Sequence, residues 1–362
     1  MKKMKKAVQN QSMIVWLKRG LLSLLFLIVA LPLAGLSYQA VANEIDRSNF
    51  PAPGQMVEMD GYKLHLNCAG TGSPTVIMES GLGSTSLDWS LVQPELAQRT
   101  RVCVYDRAGL GWSEFHPDNL PRTSQEVVRE LHTLLTKAGV PDPYILVGLS
   151  AGGMHVQMYA NQYPEDVYGL VLVDPTPAQF MATLPDQELQ TLLPHLDQFD
   201  LIQKLEPFGL LRVISLPGSE ALAELPVDVR QPIRALSVKK GIARALYAEA
   251  AGIETSIHQI ASLETLPPPL PITVIWHGIP VEPLELEPLA AASMQALIEQ
   301  SEHGKFIIAE DSGHLIMFNR PDIVIAEIST MLEIIHNDFQ EGQVLSITAQ
   351  QFRMCEGIKN GA

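Results

Sequence analysis

The pentapeptide Gly148–Leu149–Ser150–Ala151–Gly152 constrains this chain more than any other stretch, because of what flanks it. The apolar run Tyr144–Ile145–Leu146–Val147 has the composition of a buried strand, and the amphipathic stretch from Gly153 to Tyr163 has that of a helix. Together they read strand, tight turn, helix. A serine at the tip of such a turn is held at strained backbone angles that carry its Oγ clear of the sheet, and the flanking glycines remove side chains that would collide. Ser150 is therefore a candidate nucleophile. The motif is short, so its weight rests on the rest of the chain.

That context is an alternation. Met56–Met59 and Lys63–Asn67, joined at Asp60–Gly61–Tyr62, read as a hairpin. Thr75–Glu79, Arg101–Tyr105, Tyr144–Val147, Tyr168–Val173, Ile272–Trp276 and Phe306–Ala309 read as short buried strands. Helical patterns separate them at Leu91–Gln98, Ser124–Ala138, Gly153–Tyr163, Leu289–Gln300 and Asp322–Ile335. The alternation predicts an α/β protein with a mostly parallel eight-stranded sheet and helices on both faces. In such a sheet the active site lies at the carboxyl ends of the strands. With 362 residues, 46% of them apolar, the chain can bury a core of that size.

One interval breaks the alternation. Residues 178–266 hold helical stretches punctuated by Pro185, Pro194, Pro207, Pro217 and Pro226, and we read them as a helical lid insertion over the carboxyl edge. The run Leu266–Pro267–Pro268–Pro269–Leu270–Pro271 is a stiff return into the next strand. The core then comprises residues 51–177 and 267–340, and residues 341–362 form a polar tail without assigned function.

Residues 1–50 are membrane-directed. Lys2, Lys3, Lys5, Lys6, Lys18 and Arg19 precede a charge-free stretch from Gly20 to Asn43. Counted from Ile14 to Leu36, the apolar run spans about 23 residues, enough to cross a bilayer. Ala40–Val41–Ala42 offers a small-x-small cleavage site, so a removable signal peptide is the alternative to an anchor. The long basic stretch favours the anchor. The positive-inside rule then places the rest of the chain outside the cytoplasm, across the inner membrane.

Beyond residue 42, 19 basic residues face 40 acidic ones, a formal −21, which argues against a nucleic-acid partner. Cys68, Cys103 and Cys355 are too few for a zinc site or a disulfide framework. In an oxidising compartment Cys68 and Cys103 form the natural pair if their strands are neighbours; otherwise they are small buried hydrophobes. No H-E-x-x-H, P-loop or dinucleotide motif occurs, and no cofactor or metal is expected.

A serine nucleophile needs a base, an orienting acid and oxyanion donors. His314 follows the last strand in the turn Asp311–Ser312–Gly313–His314, at the same edge as Ser150, and is the candidate base. His277 also ends a strand but reads as structural, and His155 lies within the helix after Ser150.

Four motifs in order, Glu79–Ser80–Gly81–Leu82–Gly83, Tyr105–Asp106–Arg107–Ala108–Gly109–Leu110–Gly111–Trp112–Ser113, the Ser150 turn and Gly313–His314, resemble those of α/β-hydrolases, specifically membrane-anchored bacterial members of the esterase and lipase type. The resemblance covers roughly residues 54–338. It implies a Ser, acid, His order and hydrolysis through an acyl-enzyme. By the same resemblance the backbone N–H groups of Leu82 and Ala151 are the oxyanion donors. Relatives place the acid in the loop after the seventh strand, where this chain has Val281. Two candidates remain: Asp174, at the end of the sixth strand, and Glu282, one residue late in the usual loop. Asp106 and Arg107 are expected to hold the neighbouring loop through ionic and backbone bonds.

The resulting expectation is a serine hydrolase acting on a carboxylic ester or related acyl compound, with an apolar small-molecule substrate shaped by the insertion. Serine in the nucleophile position argues against haloalkane dehalogenase chemistry, which needs aspartate there. Amide or iminopeptidase-type hydrolysis, and a non-catalytic ligand-binding protein on the same fold, are the alternatives.

Overall fold

The computed structural model describes residues 2–118, 121–214, 222–223, 225–263, 266, 270–280, 283–301 and 303–340, with side chains from Met13 to Asn337. Helix α1 (Lys2–Asn49) leads into the strands β1 (Gln55–Glu58), β2 (Lys63–Ala69) and β3 (Thr75–Glu79). Then come α2 (Gln93–Leu96), β4 (Val102–Tyr105), α3 (Ser124–Ala138), β5 (Tyr144–Leu149), α4 (Ala151–Gln162) and β6 (Val167–Val173). Among the described residues α5 (Ala178–Met181), α6 (Asp186–Leu192), α7 (Leu196–Leu205), α8 (Val227–Ser237) and α9 (Ile242–Ala261) follow. The chain returns through β7 (Ile272–His277), α10 (Glu287–Ile298), β8 (Lys305–Ala309), α11 (Ile316–Asn319) and α12 (Pro321–Gln340).

The eight strands form one sheet in the order β1-β2-β4-β3-β5-β6-β7-β8. β1 and β2 enter as an antiparallel hairpin, β2 runs antiparallel to β4, and the remaining pairings are parallel. The predicted sheet is thus present, with strand ends displaced by one or two residues. The Leu91–Gln98 pattern shortens to α2, which starts at Gln93 with Pro94 in its first turn.

Side-chain alternation along the parallel strands divides the core in two. Ile77, Leu146, Leu170, Leu172 and Val274 pack toward α3, α4 and α9, while Val76, Met78, Ile145, Val147, Val171 and Ile275 pack toward α2 and α12. Each of these side chains is fully buried, and each such burial contributes about 1.5–3 kcal/mol. Truncating one, as in Leu146→Ala, costs about 2–5 kcal/mol. Helix α3 starts at a capping box, Thr123 with Glu126, and ends at Gly139 in the left-handed region.

Cys68 and Cys103 are register partners across β2 and β4 and are joined by a disulfide. Helix α1 is one continuous rod of about 72 Å. Its Met13–Asn49 portion is long and apolar enough to cross a membrane, a property that signal sequences share. Its last turns pack on the helical segment between α5 and α9.

Candidate active site

The turn at Ser150 is sharp because its surroundings leave no other path. Ser150 sits at φ +53°, ψ −120°, a region that costs an L-residue about 1–3 kcal/mol and persists only where its neighbours over-determine it. They do. The Ser150 N–H donates to Val173 O at 3.1 Å, and the Thr176 and Gly153 N–H groups donate to Ser150 O at 3.1 and 2.9 Å. A Cβ on Gly148 would lie 2.6 Å from Gly152 O, and one on Gly152 would lie 2.7 Å from both Glu79 O and Ser80 O. Both glycines are therefore required by contact.

Asp174 follows β6 directly and also takes a positive φ, +43°. Its N–H donates to Ile275 O at 2.7 Å, which turns the carboxylate toward the ends of β7 and β8. There it accepts from two imidazoles. His314 Nδ1 lies 2.5 Å from Oδ2, and His277 Nδ1 lies 2.6 Å from Oδ1, with the His277 backbone N–H donating to Oδ1 at 3.2 Å. Burial opposes ionisation of Asp174, but the bonds from His277 and His314 outweigh it and hold its pKa below the ordinary carboxylate value. His277 Nε2 approaches Glu287 Oε1 at 2.8 Å as an ion-pair contact rather than an aligned hydrogen bond. Burial disfavours its charged form, yet Asp174 and Glu287 raise its pKa above the ordinary value.

The loops that carry these groups are tied together. Gly278 and Ile279 N–H groups both donate to Ser312 O at 3.0 Å, so the turn before His314 is pinned to the end of β7. Ser150, Asp174, His277 and His314 line one cavity of about 280 Å³. Phe180, Met181, Leu192, Leu286 and Ala290 supply its apolar wall.

Leu82 lies in the turn after β3, closed by Ser84 N–H to Gly81 O at 3.1 Å. This turn adjoins the Ser150 turn: a Cβ on Gly81 would lie 3.4 Å from Ser150 Cβ. Among the described residues neither the Leu82 nor the Ala151 N–H has a partner. For Ala151 this follows from its place at the first position of α4, where N–H groups lack intrahelical acceptors.

A buried ionic clamp supports that turn. Arg107 Nη1 and Nη2 donate to Ser80 O and Gly81 O at 2.8 and 2.6 Å. The same guanidinium pairs with Glu79 and with Glu249 of α9, at 2.5 Å from Nε to Oε1. Glu249 Oε2 in turn accepts from the Gly83 N–H at 2.7 Å. Asp106 accepts from the Ser86 and Trp112 N–H groups at 2.7 and 3.0 Å and faces His65 Nδ1 at 2.8 Å. Asp106 and Arg107 thus hold loops, as the sequence led us to expect.

Of the residues singled out from sequence, the structure gathers Ser150, Asp174, His314, Leu82 and Ala151 at the carboxyl edge of the sheet. Glu282 lies outside the described residues. His155 is buried on α4, with Nδ1 3.0 Å from Ser124 Oγ. The sequence did not disclose the parts played by His277, Glu287 and Glu249. His277 carried one signal, a position at the end of a strand. Glu287 and Glu249 carried none, since each acts through a contact made only in three dimensions.

Residues 76–327 match the model of the alpha/beta hydrolase family. An AB hydrolase superfamily protein of Gibberella zeae is 25% identical over 291 residues, covering 72% of this chain and 87% of that protein. The chain spans about half the length, or less, of other curated relatives it matches, such as 56% of an uncharacterised protein of Schizosaccharomyces pombe. Among solved structures it is similar to an esterase of Thermogutta terrifontis, with a TM-score of 0.60 at 22% identity over 78% of this chain and all of that one. It is also similar to the Cif epoxide hydrolase of Acinetobacter nosocomialis, with a TM-score of 0.63 at 15% identity over 82% of this chain and 96% of that one. Sheet order, strained turn and family match agree: this chain belongs to the alpha/beta hydrolase family.

Proposed function

We propose that the chain is a serine hydrolase that cleaves a carboxylic ester or related acyl compound through an acyl-enzyme. The observation that carries this reading is the Asp174–His314 contact on the rim of the cavity that Ser150 also lines. In the proposed cycle, Ser150 Oγ attacks the acyl carbon and its proton passes to His314 Nε2. Asp174 Oδ2 accepts from His314 Nδ1–H, which fixes the productive tautomer and faces the positive charge that forms on the ring during attack. The backbone N–H groups of Leu82 and Ala151 donate to the oxyanion. His314 then gives the proton to the leaving oxygen, and water releases the acid by the same steps in reverse order.

The apolar wall formed by Phe180, Met181, Leu192, Leu286 and Ala290 favours a hydrophobic acyl group of small to medium size. A serine nucleophile separates this chemistry from that of hydrolases that alkylate a carboxylate. Amide hydrolysis would use the same groups, and the leaving group is the point of difference. A fluorophosphonate probe, followed by a panel of p-nitrophenyl esters of graded chain length, tests the proposal. Labelling at Ser150 that disappears in Ser150→Ala supports it, while folded protein that neither labels nor turns over any ester points to a ligand-binding role.

We further propose that α1 remains attached as an anchor, with the hydrolase outside the cytoplasm. Two features support this reading. The disulfide Cys68–Cys103 suits an oxidising compartment. Cleavage after Ala42 would remove Gln39, whose side chain bonds Val238 O and Arg212 in the folded protein.

A further inference from the structure

We propose that Leu210, Val213 and Ile214 form a membrane-seated edge of the helical insertion, lying in the outer boundary of the bilayer that α1 crosses. This rests on the reading of α1 as a retained anchor. The outer turns of α1 present a stripe to the insertion: Gly35, Gln39, Asn43 and Asp46, at helical spacing. Gly35 lies against the backbone of Phe208, close enough that a Cβ there would fall 2.6 Å from Phe208 O. Tyr38 packs over Gly209 in the same way. Arg212 then binds Gln39 Oε1, Asn43 Oδ1 and Asp46 Oδ2 at 2.8, 2.7 and 2.6 Å.

These contacts fix the depth of the segment. From Arg19 to Gly35 the helix rises about 24 Å, and from Ile14 to Gly35 about 32 Å, against a hydrocarbon layer of about 30 Å. With Ile14 at the inner boundary Gly35 sits at the outer one, and with Arg19 there it lies about 6 Å inside it. Phe208, which touches Gly35, sits at that level, and the segment continues from it along α1 to Arg212. Within 206–214 the exposed residues are Leu210 (41%), Val213 (75%) and Ile214 (54%), all apolar. The charged groups in this stretch turn inward: Arg212 runs along α1 away from the apolar turns, and buried Glu206 accepts from the Gly241 and Ala243 N–H groups at the start of α9. Three large apolar side chains on a segment docked there, with no exposed charge within residues 206–214, match the lipid boundary and not bulk water. The capping by Glu206 also joins the segment to α9, so the edge cannot swing free of the hydrolase body.

The test uses full-length protein with Cys355→Ser, reconstituted in vesicles of phosphatidylethanolamine and phosphatidylglycerol. Single nitroxide labels are placed at Leu27→Cys in α1, Val213→Cys at the proposed edge and Ile308→Cys on the exposed edge strand β8. Power saturation compares collision with oxygen, which concentrates in lipid, and with a water-soluble nickel chelate. The expected result is that positions 27 and 213 favour oxygen several-fold and position 308 favours the chelate. A water-like signal at 213 with a lipid-like signal at 27 overturns the membrane edge and leaves the anchor standing. A water-like signal at 27 removes the anchor and the proposal together. Spin–spin broadening at 213, with shielding from both reagents, assigns the patch to a second copy of the chain and equally overturns the proposal.

Discussion

Asp174 Oδ1 lies 2.6 Å from His277 Nδ1, so the carboxylate that meets His314 on one oxygen is held by a second imidazole on the other. In the proposed mechanism His277 is a positioning residue, and its loss leaves Oδ1 with a single backbone donor. A hydrogen bond to a charged group is worth about 1.5–3 kcal/mol, so His277→Leu is expected to lower kcat by about tenfold or more. The same change removes one of the two bonds that hold the Asp174 pKa down, which moves the acid limb of the kcat/KM profile to higher pH. His277→Asn, which keeps a donor, should recover part of both effects. An unchanged acid limb in His277→Leu would show that His277 only packs.

Ser150→Ala and His314→Ala should each lower kcat by several orders of magnitude with little change in thermal stability. Asp174→Asn should cost far more activity than Glu282→Gln. The opposite ranking would transfer the acid role to Glu282, and single-turnover acylation rates for the two variants decide the matter.

The sheet was legible because its strands are short, apolar and separated by helices of clear period. The Ser150 turn was legible because contact forces glycine at 148 and 152. Asp174 could be proposed only as one of two acids, since a sequence shows which strand a carboxylate ends and not which oxygen meets which ring. Glu249 is 142 residues from Arg107, and nothing local marks either as the other's partner. The depth proposed for Leu210, Val213 and Ile214 was equally hidden, because it depends on where α1 docks.

Arg107 sits between Glu79, Glu249 and two carbonyls of the turn that carries Leu82, all buried. Removing one partner from a buried ionic group leaves an uncompensated charge and costs about 3–5 kcal/mol. Arg107→Gln should therefore lower the melting temperature sharply. Glu249→Gln keeps an acceptor for the guanidinium and should cost less, while raising the barrier to acylation through a looser Gly83. Equal stability of Arg107→Gln and wild type in a urea titration would contradict the clamp.

Asp88 is buried with Oδ2 unpartnered among the described residues, and burial pushes its carboxyl up to about 7, against the opposing pull of Ser84 and Arg107. The unfolded chain releases this proton near 3.8, so between about pH 4 and 7 the folded state holds a proton that the unfolded state has lost. Stability then falls as pH rises, by on the order of 4 kcal/mol once Asp88 ionises. His277, raised in pKa, adds a loss of the same sign above its unfolded value. Asp88→Asn should flatten the decline and be more stable than wild type at pH 8. Parallel declines in melting temperature from pH 5 to pH 8 for the two proteins would exclude this origin.

The disulfide closes a loop of 35 residues between neighbouring strands of the sheet. In the loop-entropy account such a crosslink stabilises by about 4 kcal/mol, chiefly by restricting the unfolded chain. Cys68→Ala with Cys103→Ala is expected to lower stability by that order while leaving kcat near the wild-type value, because neither sulfur reaches the cavity. Reduction of the wild-type protein should reproduce the loss, and reduction of the double variant should change nothing further. A thiol titration of unfolded, unreduced protein that finds three free thiols instead of one would remove the bond from the native molecule.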